Sequence, residues 1–395
     1  MSTTTTPRWI RINNISTSLE EQLGGTFSSY QRVMSLVDIV QGDEKRIYID
    51  AHIPDLVAVA GNDTSGGSGA GISNWPAYRN GQLILQDKAS CFPAYLLLDN
   101  NDDDSDGDII DSCAAPGNKT THMASIISHK KRRKGKRRRR IYAMDASEAR
   151  SKTLEKLVSI AGARDMVSLL AGQDFLAVDP LNQRFRSVTR LLLDPSCSGS
   201  GIIGRDDVPT FVLPNPAATN GVKSGKANNA YNPKKRKFKP QTEDLSSSSS
   251  SEEEEELHVS RGRDQIHRLM KLSNLQTRIV QHAMRFPSAT RITYSTCSIH
   301  SIENEQVVAR VLASDITKQR GWRIMRRDEQ PDGLARWKYR GAHRGDEVSP
   351  LQLSDEELDA CLRCWPGEEG LGGFFVVGFI RDEDAGEEQW EGFSD

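Results

Sequence analysis

Length, composition and charge narrow the class of protein to which this chain belongs. It has 395 residues, of which 36% are hydrophobic and 27% are charged, enough for one large α/β domain and a smaller companion. Six cysteines without a secretory segment indicate a reducing compartment, and no apolar run reaches membrane-spanning length. We therefore expect neither a disulfide-rich secreted protein nor a membrane-spanning one.

The first predicted part of the chain is a small α+β module. Residues 7–90 contain short strand-like segments such as RWIRIN and RIYIDA, together with a loop of Gly, Ser and Asn from Gly61 to Ser73. We predict that this module, residues 1–95, packs against the domain that follows it.

From about Asp108 the chain alternates between β-rich and helix-periodic segments, which predicts a mostly parallel sheet with crossover helices. The strands are predicted near residues 108–111 and in RIYAMD, MVSLL, VTRLLLD, RITYSTCS, GWRIM and GFFVVGFI. Open α/β sheets bind ligands outside the carboxyl ends of their strands. We expect one rim of the sheet to hold Asp145, Asp174, Asp194, Cys197 and Cys297.

Two insertions interrupt this alternation, and an acidic tail at 383–395 follows it. The first, residues 129–140, includes ten Lys or Arg among the eleven residues from Lys130 to Arg140. The second, residues 206–260, contains a serine run and five consecutive glutamates. Neither can bury a core, so both are predicted to be disordered. The basic insertion attracts anions and predicts an RNA-binding or targeting role.

A turn of small residues, DSCAAPGNKT, follows the first strand of the predicted sheet. Its small side chains let the backbone approach a ligand, and Lys119 adds positive charge at the head of a helix. The turn is neither a Walker A loop nor a G-x-G-x-x-G loop, and alone it is equally consistent with a plain strand-to-helix turn. Asp145, at the end of the next strand, favours a cofactor with a ribose diol.

Two cysteines follow strand ends and predict covalent chemistry. A free cysteine is usually a small apolar residue, but Cys197 in PSCSGSG and Cys297 in YSTCSI lie among residues that leave a thiol accessible. A thiolate that adds to C6 of a pyrimidine activates C5 to attack an electrophilic methyl group, and a second thiol can assist the later steps. Cys361 and Cys364 form one C-x-x-C without further ligands nearby, so no metal site is predicted.

Three motifs in this order, DSCAAPGNKT, DPSCSGSG and YSTCSIHSIENE, resemble the Sun/Fmu/Nop family of S-adenosylmethionine-dependent RNA cytosine-C5 methyltransferases. LLLDPSCSGSGI and GQLILQDKASCFPAYLL are similar to the eukaryotic subgroup that methylates large-subunit ribosomal RNA. The resemblance covers about Pro7 to Arg381 without the insertions. It implies a Rossmann-like class I methyltransferase domain over residues 96–382, with a mostly parallel seven-stranded sheet, and RNA contact by residues 1–95.

The resemblance also implies a role for individual residues. Cys297 of the TCS motif would be the nucleophile, Cys197 would assist release of the methylated RNA, and Asp194 and Lys119 would hold the target base. The implied cofactor-binding residues are Cys113, Ala114, Ala115, Pro116, Gly117, Asn118 and Lys119 of the loop, Asp145 at the ribose hydroxyls, Arg150 on the next helix, Asp174 near the adenine, and Asp194 at the methionine end.

The sequence departs from the family pattern at three points. Ser196 stands between Pro195 and Cys197, where many members have a proline-type neighbour. The chain begins almost directly at PRWIRIN, so we expect the N-terminal extension common in the subgroup to be missing. The large insertion follows GSGI, close to where substrate would enter.

The resemblance implies large-subunit ribosomal RNA as the partner, a nuclear and nucleolar location, a role in ribosome biogenesis, a monomer and no membrane partner. The target cytosine must be unpaired or flipped, because pairing hides its C6. Three alternatives stay open: a transfer RNA methyltransferase, a ribosome-assembly factor with dispensable catalysis, and a nicotinamide-dependent oxidoreductase. The missing G-x-G-x-x-G counts against the last.

Overall fold

The computed structural model of the chain describes residues 7–41, 45–61, 71–98, 107–129, 139–202, 251–343, 351–367 and 371–381, with the backbone alone for 40–41 and 251–263. Most of the loop at 61–73 and of the two predicted insertions, and all of the tail at 383–395, lie outside the described residues. Within the described ranges, no helix has the length and apolar character needed to cross a membrane.

The chain divides into two compact units. The first consists of residues 1–214 and 269–395 and contains both sheets. The second consists of residues 215–268, and its described part is a stretch of helix.

Five short strands near the N-terminus form the first sheet. They are β1 (Arg8–Ile12), β2 (Gln31–Val33), β3 (Arg46–Ile49), β4 (Leu56–Val59) and β5 (Leu83–Leu85), with helices α1 (Leu19–Gly24), α2 (Leu36–Gln41) and α3 (Pro76–Arg79) between them. Their order in the sheet is β2-β3-β4-β1-β5, and neighbouring strands are antiparallel except β2 and β3, which are parallel. The predicted strands RWIRIN and RIYIDA correspond to β1 and β3.

Eight strands form the second sheet. They are β6 (Asp108–Asp111), β7 (Ile141–Asp145), β8 (Val167–Ala171), β9 (Val188–Leu193), β10 (Arg291–Thr296), β11 (Arg323–Ile324), β12 (Leu362–Cys364) and β13 (Phe374–Ile380). Their order is β11-β13-β10-β9-β6-β7-β8, and β12 pairs with β13. The strands from β10 to β8 in this order are parallel, whereas β13 is antiparallel to β10. The mostly parallel sheet is thus as predicted, but it has eight strands instead of seven because β12 was missed.

Helices cover both faces of the second sheet. They are α4 (Lys88–Leu97), α5 (Asn118–His129), α6 (Glu148–Ile160), α7 (Ser251–Ala283), α8 (Glu305–Ala313), α9 (Asp315–Gln319), α10 (Asp332–Ala335) and α11 (Asp355–Ala360). One core includes Leu191 of β9 and Val280 of α7, and another includes Leu192 of β9 and Leu154 of α6. Because both faces are covered, the sequences of the parallel strands are continuous apolar runs.

Two helix boundaries bear on the predicted division of the chain. Helix α4 runs through residue 95, the predicted end of the first module, and packs against α5 and β10. Helix α7 begins at Ser251, within the insertion predicted over 206–260. The division into residues 1–95 and 96–382 stays a prediction.

Candidate active site at the carboxyl edge of the second sheet

Strands β9 and β10 bring the two cysteines of interest together. The strands are adjacent and parallel, with Leu193 opposite Tyr294, so the segments after them leave the sheet side by side. The Sγ atoms of Cys197 and Cys297 are 3.1 Å apart, and both residues are partly exposed. The Gly201 N–H donates to the Cys297 carbonyl at 3.0 Å, which joins the two segments through the backbone.

The two thiols differ in acidity because one stabilises the other's charge. A hydrogen bond from Cys197 lowers the pKa of Cys297, and the positive charge of Lys119 acts in the same direction, against the effect of burial. The same bond, together with burial, raises the pKa of Cys197. The contact therefore favours the thiolate form at Cys297 over that at Cys197, and a thiolate is the nucleophilic form of cysteine.

Lys119, Asp194 and Ser295 form a second group beside the thiols. The Lys119 ammonium lies 2.8 Å from Asp194 Oδ2, and the Ser295 hydroxyl donates to Asp194 Oδ1 at 2.6 Å. Lys119 also donates to the Ser90 hydroxyl of α4 at 3.2 Å. Burial alone would lower the pKa of Lys119, but the Asp194 carboxylate raises it. The group thus presents a fixed cation and a fixed anion next to the reactive sulfur.

Asp111 lies beneath this group at the end of β6. Its side chain is fully buried and accepts a hydrogen bond from Thr120 at 2.6 Å. Burial raises the pKa of Asp111 to about 7, and the negative charge of Asp194 adds to the effect. Asp111 lies in the motif DSCAAPGNKT, but neither its residue type nor its position in the sequence indicated that its pKa would be raised.

The turn after β6 lies against the end of β7. The Ala115 N–H donates to Asp145 Oδ2 at 3.2 Å, and Arg150 of α6 donates to the Ala115 carbonyl at 2.7 Å. Gly117 has a φ of 115°, and a Cβ there would lie 3.0 Å from Leu154 Cδ1. The turn therefore has a defined shape, and Asp145, Arg150 and the loop form one group.

Two further atoms of the loop bear on what it can hold. At the first position of α5, Asn118 Oδ1 is buried and has no hydrogen-bond partner among the residues that the structure describes. Burial raises the pKa of Cys113 to about 12, so its side chain is a neutral thiol. A loop with an unused acceptor next to a carboxylate can receive a polar ligand with donor groups.

Asp174, the remaining predicted site residue, follows β8, the strand next to β7 at the end of the sheet. It is exposed after β8, and its carboxylate accepts from the Leu176 N–H at 3.0 Å and so caps the short helical turn Phe175–Ala177. Within the described ranges, no group of three or more His, Cys, Asp or Glu is arranged to hold a metal ion.

Comparison with known proteins gives the same family as the sequence motifs. A family model described as "16S rRNA methyltransferase RsmB/F" matches residues 95–210. The chain is 34% identical to the 25S rRNA (cytosine-C(5))-methyltransferase rcm1 of Schizosaccharomyces pombe over 95% of its own length and 64% of the relative's. It is 31% identical to a 28S rRNA (cytosine-C(5))-methyltransferase of Mus musculus, with 95% and 63% covered. The chain thus spans slightly less than two thirds of both relatives.

A third relative, the putative methyltransferase NSUN5C of Homo sapiens, is 31% identical and is covered over 72% of its length by 78% of this chain. Among solved structures, a methyltransferase homologue from Pyrococcus horikoshii matches with a TM-score of 0.56 at 18% identity, over 95% of this chain and 87% of that one. NSun6 from the same organism matches with a TM-score of 0.51 at 15% identity, over 95% and 91%.

The structural matches confirm the predicted fold class, a Rossmann-like class I methyltransferase fold. The match to the human relative extends over most of both chains and carries the family assignment. The chain belongs to the RsmB/F family, the Sun/Fmu/Nop family of RNA cytosine-C5 methyltransferases.

Proposed function

We propose that this chain is an S-adenosylmethionine-dependent rRNA (cytosine-C5)-methyltransferase that modifies large-subunit ribosomal RNA. The observation that carries the proposal is the contact of 3.1 Å between Cys197 and Cys297 beside the Lys119–Asp194 ion pair. A lone buried thiol needs no such partner, whereas covalent pyrimidine chemistry uses both a thiolate and a group that assists its departure.

In this proposal Cys297 forms the covalent intermediate. Its thiolate adds to C6 of the target cytosine, and the electron pair of the C5–C6 double bond becomes available at C5. Asp194 and Lys119 hold the base edge and stabilise the charge that develops on the ring. C5 then takes the methyl group; a base later removes the C5 proton, the double bond forms again and the Cys297 sulfur leaves. Cys197, next to that sulfur, assists this last stage.

S-adenosylmethionine would supply the electrophilic methyl group. The residues that would hold it are the loop from Cys113 to Lys119 together with Asp145, Arg150, Asp174 and Asp194. The unused acceptor of Asn118 and the carboxylate of Asp145 fit a ligand with amine and ribose hydroxyl donors.

The choice of RNA rests on relatives whose names specify 25S or 28S rRNA. We propose with it a nuclear and nucleolar location, a monomeric state and a role in ribosome biogenesis. The module at 1–95 and the basic insertion at 129–140 are the proposed RNA-binding segments. Bisulfite sequencing of RNA from cells that lack the protein tests the substrate: loss of one modified cytosine in large-subunit rRNA supports it, and loss in transfer RNA alone would overturn it.

Trapping with 5-azacytidine-containing RNA tests the chemistry. The unsubstituted protein should form a covalent adduct that survives denaturing electrophoresis, and Cys297→Ala should abolish both the adduct and methyl transfer. Cys197→Ala should instead accumulate an adduct with ordinary RNA. Cys364→Ala, a buried cysteine of β12, is the matched control and should behave like the unsubstituted protein. Full methyl transfer by Cys297→Ala would contradict the role assignment.

A further inference from the structure

The backbone on both sides of Cys197 is held by two buried side chains. The Gln276 side chain of α7 donates through Nε2 to the carbonyl of Ser196 at 3.0 Å. The N–H of Ser198 donates to Glu303 Oε1 at 2.9 Å. Gln276 Nε2 also donates to the same Glu303 oxygen at 3.0 Å, so the two side chains form one unit around Cys197.

Burial of these two polar side chains is energetically unfavourable. Gln276 and Glu303 are both completely inaccessible to solvent, and Gln276 Oε1 and Glu303 Oε2 have no hydrogen-bond partner among the described residues. An unpaired buried polar atom costs free energy, and a buried polar group can often be replaced by an apolar one without loss of stability. Packing alone therefore gives no reason for an amide and a carboxyl group at this place.

The turn that carries Glu303 is itself fixed from two sides. The Tyr294 hydroxyl of β10 donates to the Glu303 carbonyl at 2.6 Å, and the Ser273 hydroxyl of α7 donates to the Ile302 carbonyl. Tyr294 is fully buried three residues before Cys297. The hydrogen bond from Tyr294 thus fixes the position of Glu303 relative to β10, the strand that leads to Cys297. Through Glu303, the segment around Cys197 is fixed relative to the same strand.

We propose that Gln276 and Glu303 are positioning residues that hold the Cys197 thiol against Cys297 for release of the methylated product. Fixing the carbonyl before Cys197 and the N–H after it fixes the direction of the Cα–Cβ bond between them. The inference rests on the proposed function, because it assigns these two residues to the step in which Cys197 takes part.

Loss of the hydrogen bonds made by Gln276 and Glu303 should slow the release step and leave the other steps of the reaction unaffected. Cys297 is bonded to the Cys197 segment through Gly201, and Lys119 and Asp194 contact neither Gln276 nor Glu303 in the structure's hydrogen-bond and ion-pair network. Lys119 still lowers the pKa of Cys297 when the hydrogen bond from Cys197 is lost, so addition of Cys297 to C6 and methyl transfer should proceed, while release of Cys297 from the methylated base becomes slow. A covalent protein–RNA complex should accumulate without any mechanism-based trap.

The experiment incubates the full chain with S-adenosylmethionine and an in vitro transcript of large-subunit rRNA, and measures the adduct on a denaturing gel. Gln276→Met and Glu303→Met keep the side-chain volume but remove the hydrogen bonds. Each should raise the adduct and lower kcat about tenfold or more, with the KM for RNA unchanged, because small misplacements of a reacting group cost this much.

Two matched variants separate positioning from general damage. Glu303→Gln retains an acceptor for Ser198 and should return the adduct to the unsubstituted level. Thr277→Val removes a hydroxyl from the next position of α7, which bonds within the helix to Ser273, and should change neither adduct nor kcat. If Gln276→Met does not fold, Gln276→Asn, whose shorter amide cannot reach both partners, carries the same expectation.

Cys197→Ala serves as the reference that distinguishes the two proposals. An adduct with Cys197→Ala but none with the Gln276 and Glu303 variants would overturn the positioning role and leave the proposed function intact. Absence of the adduct with Cys197→Ala itself would overturn the release role on which the inference rests. Equal adduct in Glu303→Gln and Glu303→Met would also contradict the positioning role.

Discussion

Two lysine–aspartate ion pairs in this molecule have nearly the same length but opposite surroundings. Lys88 and Asp50 are 2.7 Å apart, with side chains 2% and 0% exposed, and the Lys88 ammonium lies between the rings of Trp9 and Trp337 at 5.3 and 4.8 Å. Lys119 and Asp194 are 2.8 Å apart, with side chains 13% and 26% exposed.

The difference shows how one chemical pair serves two purposes. Around Lys88, indole rings and the ring of His52 at 3.1 Å enclose the charge, so the pair joins segments that are far apart in sequence. Around Lys119, the side chains of the pair are partly exposed at the edge where the two thiols lie. The enclosed pair is suited to stability and the open pair to binding and chemistry.

The largest effect is expected from a substitution that breaks the enclosed pair, Lys88 and Asp50. Lys88→Met leaves Asp50 buried without its cation, so the free energy of unfolding should fall by about 3 to 5 kcal/mol. Urea unfolding measures this, and methyl transfer per folded molecule should be unchanged. Asp328→Ala, which removes an exposed partner of Arg326, is the control and should change stability by less than about 1 kcal/mol. Lost activity with full stability in Lys88→Met would contradict the contrast between the pairs.

The second-largest effect is expected from a substitution that breaks the open pair, Lys119 and Asp194. Lys119→Met should lower kcat about a hundredfold, because it removes a fixed charge beside Asp194 and Cys297, with little change in Tm. Lys119 lowers the pKa of Cys297, so its removal should raise that pKa and move the acid limb of the pH–rate profile to higher pH. Kinetics between pH 5 and 9 measure both effects. An unshifted acid limb would show that Lys119 does not act on the thiolate.

The smallest effect concerns the acid beneath the open pair. Burial raises the pKa of Asp111 to about 7 from an ordinary value of 3.8, so the folded state binds the proton more tightly than the unfolded state. Stability from this group is therefore present below pH 4 and is lost as pH rises to about 7. Between pH 5 and 8 the free energy of unfolding of the unsubstituted protein should fall by an amount on the order of 2 kcal/mol because of this group, and Asp111→Asn should abolish that fall. Unfolding experiments across this pH range measure it. The same pH dependence in both proteins would contradict the assignment.

The sequence predicted the parallel strands well because their signal is local. A strand buried on both faces, such as β9, is a continuous apolar run, and the turn after it is marked by proline and glycine. Helix α4 was missed for the opposite reason: it is buried on nearly every side and contains Pro93, so it shows no amphipathic period. Strand β12 has three residues, too few for any period.

The same distinction applies to the site. Cys197 and Cys297 were recognisable because their neighbours in sequence are small and polar, and the structure brings the two together as the motifs suggested. Ser90 and Gln276 were not recognisable from the sequence, because each finds its hydrogen-bond partners through tertiary contacts. The residues next to them in the sequence do not indicate these contacts. Ser295 lies in a recognised motif, but its bond to Asp194 depends on strand pairing.

The antiparallel strand β13 also has a consequence for synthesis of the protein. It pairs with β10 along six residue positions, yet it is translated only after residues 297–373 have been made. Until then the edge of β10 that delivers Cys297 is unpaired, and exposed strand edges invite pairing with other chains. The order in which the ribosome makes these strands therefore leaves the segment with the reactive thiol as the last part of the sheet to become protected.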